Sequence, residues 1–148
     1  KKLKEGIYDA IVLSYAGIKH LELENEISEI FAVEEIIPSA GQGIIALQCR
    51  ANDKDIISIL KKTNHEETYK RANAERNVLK VLGGDCETAI GAHSIINGEN
   101  IIVEAELFSL DGSKRFYEKK TRKIHEFNEI GKEIGKILKT KSNNSYKR

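Results

Sequence analysis

Apolar positions along the chain keep one pattern up to about residue 50 and another after it. Tyr8-Asp9-Ala10-Ile11-Val12-Leu13, bounded by Gly6 and Ser14, is a short apolar run. It predicts a strand buried on both faces, as in a parallel sheet. Ser14 to Leu23 suits a loop and short helix on the C-terminal side of that strand, the edge where open α/β sheets commonly bind ligands. Glu26 to Phe31 reads as a further helical turn. Glu34 to Pro38 reads as extended, because a proline disfavours helix at the residue before it. Gly41-Gln42-Gly43 is a flexible turn, and Ile44 to Cys49 predicts a second buried strand. At Asn52 the period becomes helical. Asn52 is a candidate N-cap for a helix from about Asp53 to Lys62, with Ile56, Ile57 and Leu60 on one face.

The rest of the chain is patterned more sharply. Asn64, with Glu67 three residues on, predicts the start of a helix that runs to about Leu82 and stops at Gly83-Gly84. Ala89 to Ile96 predicts a strand, Asn97-Gly98 a turn, and Ile101 to Ser109 a second strand. In that strand Val103, Ala105 and Leu107 alternate with Glu104 and Glu106, which gives one wet face. Asp111-Gly112 is a hairpin signal. Arg115 to Arg122 predicts a third strand, and its charge marks it as an edge. Phe127, Ile130, Ile134, Ile137 and Leu138 share one face of a closing helix, and the lysine-rich tail from Lys139 to Arg148 is expected to fray. From about Thr63 the pattern is therefore α+β, a three-stranded antiparallel sheet with two helices that buries its own core. The first part offers two strands, too few for an independent sheet. It predicts a partial α/β segment whose remaining strands lie elsewhere in a longer protein.

Composition narrows the partners. The chain has 148 residues, 40% hydrophobic and 32% charged, the balance of a soluble globular protein. A net charge of +1 gives no global electrostatic case for nucleic acid or an anionic membrane. No apolar run reaches the length of a membrane span, and no N-terminal signal pattern is visible. Two cysteines, Cys49 and Cys86, make no disulfide framework and fit a reducing compartment. The expected location is the cytoplasm. The spacing of His65, His93 and His125 offers no metal site. The chain contains no Met and opens at Lys1, so it reads as a fragment whose N-terminal half is absent.

The densest chemistry lies in Gly83-Gly84-Asp85-Cys86-Glu87-Thr88-Ala89-Ile90-Gly91. A thiol just after a glycine pair can be presented on a loop with little bulk beside it, and a thiol held that way can be attached covalently to another group. The alternative is a buried cysteine at a helix–strand turn. Around the loop stand Asn73-Ala74-Glu75-Arg76 with Leu79 and Leu82, then Ile90-Gly91-Ala92-His93-Ser94. Upstream are Ile37-Pro38-Ser39-Ala40-Gly41-Gln42-Gly43-Ile44 leading to Gln48-Cys49-Arg50. Earlier still come Leu3-Lys4-Glu5-Gly6-Ile7-Tyr8-Asp9-Ala10-Ile11-Val12-Leu13 and Ala16-Gly17-Ile18-Lys19. This ordered set, from Lys1 to about Lys139, resembles the C-terminal half of the porphobilinogen deaminase (hydroxymethylbilane synthase) family.

The resemblance implies a transferase of porphyrin and haem biosynthesis. It joins four porphobilinogen molecules head to tail with release of ammonia, on a dipyrromethane cofactor held by a thioether. Cys86 matches the anchoring cysteine, preceded here by Asp85 where many members have Gly. Gln42 and Gly43 match positions lining the cofactor's carboxylate site. Ser14 matches a position facing the substrate, usually Ala. His20 stands where a substrate-binding arginine is expected, and it lacks the bidentate fork of a guanidinium. No catalytic residue falls in this chain, because the family's catalytic aspartate and most of its arginines lie upstream. The resemblance assigns residues 1–43 to the end of a second α/β domain and 44–62 to the strand and helix returning to the first. Both domains would be periplasmic-binding-protein-like. Residues 63–148 become a cofactor-bearing α+β domain, and the full-length protein is expected to be a monomer. Two other classes stay open: a non-catalytic small α/β binding module, and a thiol-redox protein, which would lack a nearby resolving cysteine. Glu75 and Arg76 read as helix-side ion-pair residues, and Cys49 as core.

Overall fold

Three antiparallel strands and two long helices carry the core, where the alternating and helical apolar periods place it. The computed structural model describes residues 2–83 and 88–147. Strands β1 (Ile90–Asn97), β2 (Asn100–Phe108) and β3 (Arg115–Lys123) form one sheet in the order β1-β2-β3. Asn97 pairs with Asn100 across a two-residue turn, and Phe108 pairs with Arg115. Ile101, Val103, Ala105 and Leu107 of β2 are fully buried, so alternation along β2 sets which face meets the helices.

Helices α3 (Glu66–Leu82) and α4 (Phe127–Ser142) cover that face. Ala74, Val78 and Leu82 pack with Ile130, Ile134 and Leu138 and with the β2 residues in one cluster. The start of α3 differs from expectation by one residue. His65, not Asn64, is the N-cap, its Nδ1 accepting the Thr68 N–H, while the Asn64 side chain bonds Glu66. Gly83 closes the helix with φ +66. Helix α2 (Lys54–Thr63) is likewise capped by Asp53 rather than Asn52.

The C-terminal tail does not fray. α4 continues to Ser142, and Tyr146 is 1% exposed with its hydroxyl donating to the Leu82 carbonyl at 2.7 Å. The Leu110 N–H donates to the Ser145 carbonyl at 2.9 Å. A single aromatic in a run of Lys, Ser and Asn supplies enough buried area to dock the segment, where lysine content alone argued for fraying.

Residues 8–13 and 44–49, predicted as buried strands, are irregular and largely open to solvent, with Val12 71%, Ile45 88% and Leu47 62% exposed. A parallel strand needs a neighbour for its backbone groups and cover on both faces. The described strands pair only among themselves. The α+β part of the expected fold is formed, and among the described residues no strand occurs at 8–13 or 44–49. Lys1–Ala32 forms a compact unit with the short helix α1 (Tyr15–His20) and a 3-10 turn at Glu24–Glu26. Val33–Arg148 forms the other unit.

The β2–β3 connection supplies a pH-dependent element. Asp111 accepts hydrogen bonds from the Ser109 hydroxyl at 2.5 Å and from the Ser113 N–H and hydroxyl. These bonds, that of Ser109 foremost, hold its carboxyl down at about 2. A carboxyl lowered in the folded state stabilises it above the unfolded value of about 3.9, and that contribution is lost as pH falls toward the folded value. NMR titration of Asp111 should show a midpoint near 2, and Asp111→Asn should remove that part of the acid dependence. An Asp111 midpoint near 4 would contradict the turn as described.

Candidate functional site

One buried carboxylate organises the region around the candidate cofactor residues. Glu75 lies on the apolar stripe of α3 with Val78 and Leu82 and is 3% exposed. Its Oε2 accepts the Gly41 N–H at 2.8 Å, and its Oε1 accepts the Ser94 N–H at 2.9 Å and the Ser94 hydroxyl at 2.7 Å. Among the described residues Glu75 makes no ion pair, contrary to the helix-side pair expected. The side chain instead ties α3, β1 and the Ser39–Gly43 turn together. Three donors offset the desolvation that burying a carboxylate costs.

A second buried carboxylate holds the segment entering that turn. Glu106, 5% exposed, accepts the Ile37 N–H at 3.3 Å on Oε1, while Arg115 donates to Oε2 at 2.8 Å. The Ala92 N–H donates to the Pro38 carbonyl at 2.9 Å. Gly91 allows the approach, since a Cβ there would sit 2.4 Å from the Ile37 oxygen. Residues 37–41 thus run along β1.

The turn itself closes with Gln42 N–H to Ser39 carbonyl and Ile44 N–H to Gly41 carbonyl, each at 3.0 Å. Gly41 and Gly43 have φ of +77 and +76, a conformation that a residue with a Cβ adopts only under strain. The Gln42 Oε1 accepts from the Ser39 hydroxyl at 3.2 Å. Among the described residues the Gly43 N–H and the Gln42 side-chain N–H groups have no protein acceptor. Both residues are exposed. Unused N–H donors on a fixed turn suit an anionic carboxylate, so the residues present fit the acidic arms of a pyrrole cofactor.

Cys86 lies outside the described residues, between the end of α3 at Gly83 and Thr88 ahead of β1. Gln42 and Gly43 belong to the same compact unit, Val33–Arg148, as α3 and β1. Ser14 and His20 belong to the other unit. Ser14 is the half-buried N-cap of α1, making no side-chain capping bond, and His20 is the exposed last residue of that helix. Cys49 is half-buried rather than core. It lines an open concavity with Gln48, Arg50, Asp53 and Ile56. Among the described residues, no group of three His, Cys, Asp or Glu side chains could hold a metal ion, and no helix is long and apolar enough to cross a membrane.

Four residues that shape this region escaped the sequence reading: Ser94, Glu106, Tyr146 and, in its true role, Glu75. Glu75 had left a signal. It is three residues before Val78 and seven before Leu82, a charged residue placed on the apolar stripe. Glu106 faces away from the helices and looked like an ordinary wet-face residue.

Comparison with known proteins bears on the same segments. The family model described as porphobilinogen deaminase, dipyromethane cofactor binding domain, matches residues 1–58, and that described as porphobilinogen deaminase, C-terminal domain, matches residues 69–140. A porphobilinogen deaminase of Coxiella burnetii is 46% identical over 111 residues, covering 75% of this chain and 36% of the relative. Those of Desulforamulus reducens and Syntrophomonas wolfei are 35% and 31% identical over 138 residues, covering 93% of this chain and 45% of each relative. The chain spans less than half the length of these curated relatives. Two successive domains of one family, matched in order along most of the sequence, show that the chain belongs to the porphobilinogen deaminase family.

Proposed function

We propose that this chain is the cofactor-carrying part of a transferase that condenses four porphobilinogen molecules into hydroxymethylbilane with release of ammonia. The observation that carries the reading is the match of two successive domains of one family, the first of them described as binding the dipyromethane cofactor. Residues 1–58 match the domain named for the dipyromethane cofactor and contain Gln42 and Gly43. Residues 69–140 match the C-terminal domain and contain Cys86. The cofactor would be gripped at two places. Cys86 is its covalent anchor, through a thioether, and the Gly43 N–H and Gln42 amide receive its carboxylates. The dipyrromethane supplies a tethered pyrrole carbon on which the chain grows. The Gly41–Gly43 turn offers donors without bulk, and the sequence before Cys86 carries two glycines that add no side chain beside the thiol.

Within this reading, residues 1–43 end a second periplasmic-binding-protein-like α/β domain, 44–62 return to the first, and 63–148 form the cofactor-bearing α+β domain. The exposed apolar side chains of residues 7–13 and 44–49 would then join sheets with strands outside this chain. Ser14 and His20, at the two ends of α1, would meet substrate. His20 would supply one imidazole hydrogen bond where the family has a guanidinium. The enzyme would act as a cytoplasmic monomer on porphobilinogen. This chain brings no catalytic aspartate, so on its own it would not turn over substrate.

Intact-mass measurement of the deaminase that contains this chain, followed by peptide mapping, tests the proposal. The expected result is an increment of two pyrrole rings on the peptide containing Cys86 and none on that containing Cys49, resistant to thiol reductants. An increment removed by reductant would favour a redox thiol, and an unmodified Cys86 in active enzyme would overturn the assignment.

A further inference from the structure

We infer that Glu75 is a positioning residue for the cofactor, acting through Gly41. The inference rests on the cofactor reading above and goes beyond it, because it concerns how the two cofactor contacts are kept in register. Gln42 and Gly43 lie more than forty residues before Cys86 in sequence. The structure provides a shorter route between them than the chain. Glu75 is two helical turns before the end of α3 at Leu82, from which the chain passes to Cys86. One carboxylate oxygen holds the Gly41 N–H at 2.8 Å, next to Gln42. The other holds Ser94 of β1, the strand into which the chain passes after Cys86. The elements on both sides of the cysteine and the turn bearing the carboxylate donors therefore meet at one side chain.

Geometry makes Glu75 hard to replace. Both carboxylate oxygens accept, and they face N–H donors from different segments. An amide has one acceptor oxygen and presents its own N–H groups at the other position. Glu75→Gln sets an N–H against the Gly41 N–H when its single oxygen keeps both donors of Ser94, the N–H and the hydroxyl. The Pro38 and Ile37 backbone contacts to Ala92 and Glu106 remain, so the segment stays attached while its last residues lose their tie. The loss falls on the turn, within two residues of the proposed carboxylate donors.

The test uses the full deaminase, prepared without cofactor and then supplied with porphobilinogen. Three quantities are read: the rate at which the Cys86 adduct appears by intact mass, the shift of the Gly43 amide resonance on loading, and KM against kcat. Glu75→Gln is expected to slow adduct formation about tenfold or more, to abolish the Gly43 shift, and to raise KM more than it lowers kcat. Glu75→Asp, which keeps two acceptor oxygens one methylene short, should fall between and covers the case in which the Gln variant does not fold. Ile134→Val weakens the helix–sheet core without touching Glu75 or its hydrogen-bond partners. It should lose thermal stability and still load at the wild-type rate with the Gly43 shift intact. Wild-type loading with an intact Gly43 shift in both Glu75 variants would overturn the inference. Equal loss in Ile134→Val would do the same, because the effect would then be one of stability. Absence of any pyrrole adduct on the wild-type protein would overturn the cofactor reading and this inference together, which separates the two failures.

Discussion

Cys86→Ser is expected to give a deaminase of apo mass with no detectable turnover. A thiol ionises near pH 8.5, so a useful fraction is thiolate at neutral pH, and sulfur is a strong nucleophile toward an electrophilic methylene carbon. A serine hydroxyl of nearly the same size is hardly ionised there and needs a neighbouring base to react. In the proposed role Cys86 would hold the cofactor through a thioether, its Sγ taking the place of the departing amine on the methylene carbon while ammonia carries away the thiol proton. Gln42 and Gly43 could still bind carboxylates by hydrogen bonds, but a primer held that way would dissociate. Cys49→Ser, at the half-buried position beside Arg50 and Asp53, should leave loading unchanged. Full cofactor loading of Cys86→Ser, seen by intact mass, would sink the assignment.

The second large effect is on folding. Gly131→Ala should destabilise the α+β domain by about 2 kcal/mol or more, although alanine is the better helix former by about 1 kcal/mol. Gly131 is buried in α4 where it packs on α3, and a Cβ there would lie 2.0 Å from the Ala74 carbonyl oxygen and 3.0 Å from the Asn77 Cβ. The first neighbour is helix backbone and cannot turn aside. α3 and α4 would have to separate, loosening the contacts of Ala74 and Val78 with Ile130 and Ile134. Thermal unfolding by circular dichroism should show a midpoint lower by on the order of 10 °C. Gly17→Ala in α1, whose added Cβ would meet only Ser14 Cβ at 3.9 Å, serves as the control and should show no such loss. A Gly131→Ala domain as stable as the parent would mean that the helices do not pack as closely as described.

Element type was legible wherever a segment buries one face against its own chain. The strands at Ile90–Asn97, Asn100–Phe108 and Arg115–Lys123 follow from alternation and two turn signals. Helix ends were less legible, because Asn52 and Asp53, or Asn64 and His65, compete for one cap. The runs at 7–13 and 44–49 carry strand composition, but a parallel strand is a property of its neighbours as much as of itself. Tyr146 and Glu106 were illegible for a related reason. Each gains its role from a segment distant in sequence, the end of α3 for Tyr146 and Ile37 for Glu106. The candidate residues Gln42, Gly43 and Cys86 come from motif order alone. That Gln42 and Gly43 are carried by the α3–β1 body was not legible, because it depends on Glu75 meeting Gly41 across 34 positions.

The segment at Ile37–Gly41 has a further consequence, for self-association. A three-stranded sheet has two open rims, each a row of backbone groups that another copy could pair with. On the β3 side, Arg115, Lys119, Lys120, Arg122 and Lys123 repel a like strand. β1 carries only His93 as a titratable group and presents Ile95 to solvent. There the Ala92 N–H is already taken by Pro38, a residue with no N–H of its own to offer onward. One rim is guarded by charge and the other by a proline-bearing strap, so loosening the strap would expose a template for aggregation as well as disturb the Gly41–Gly43 turn.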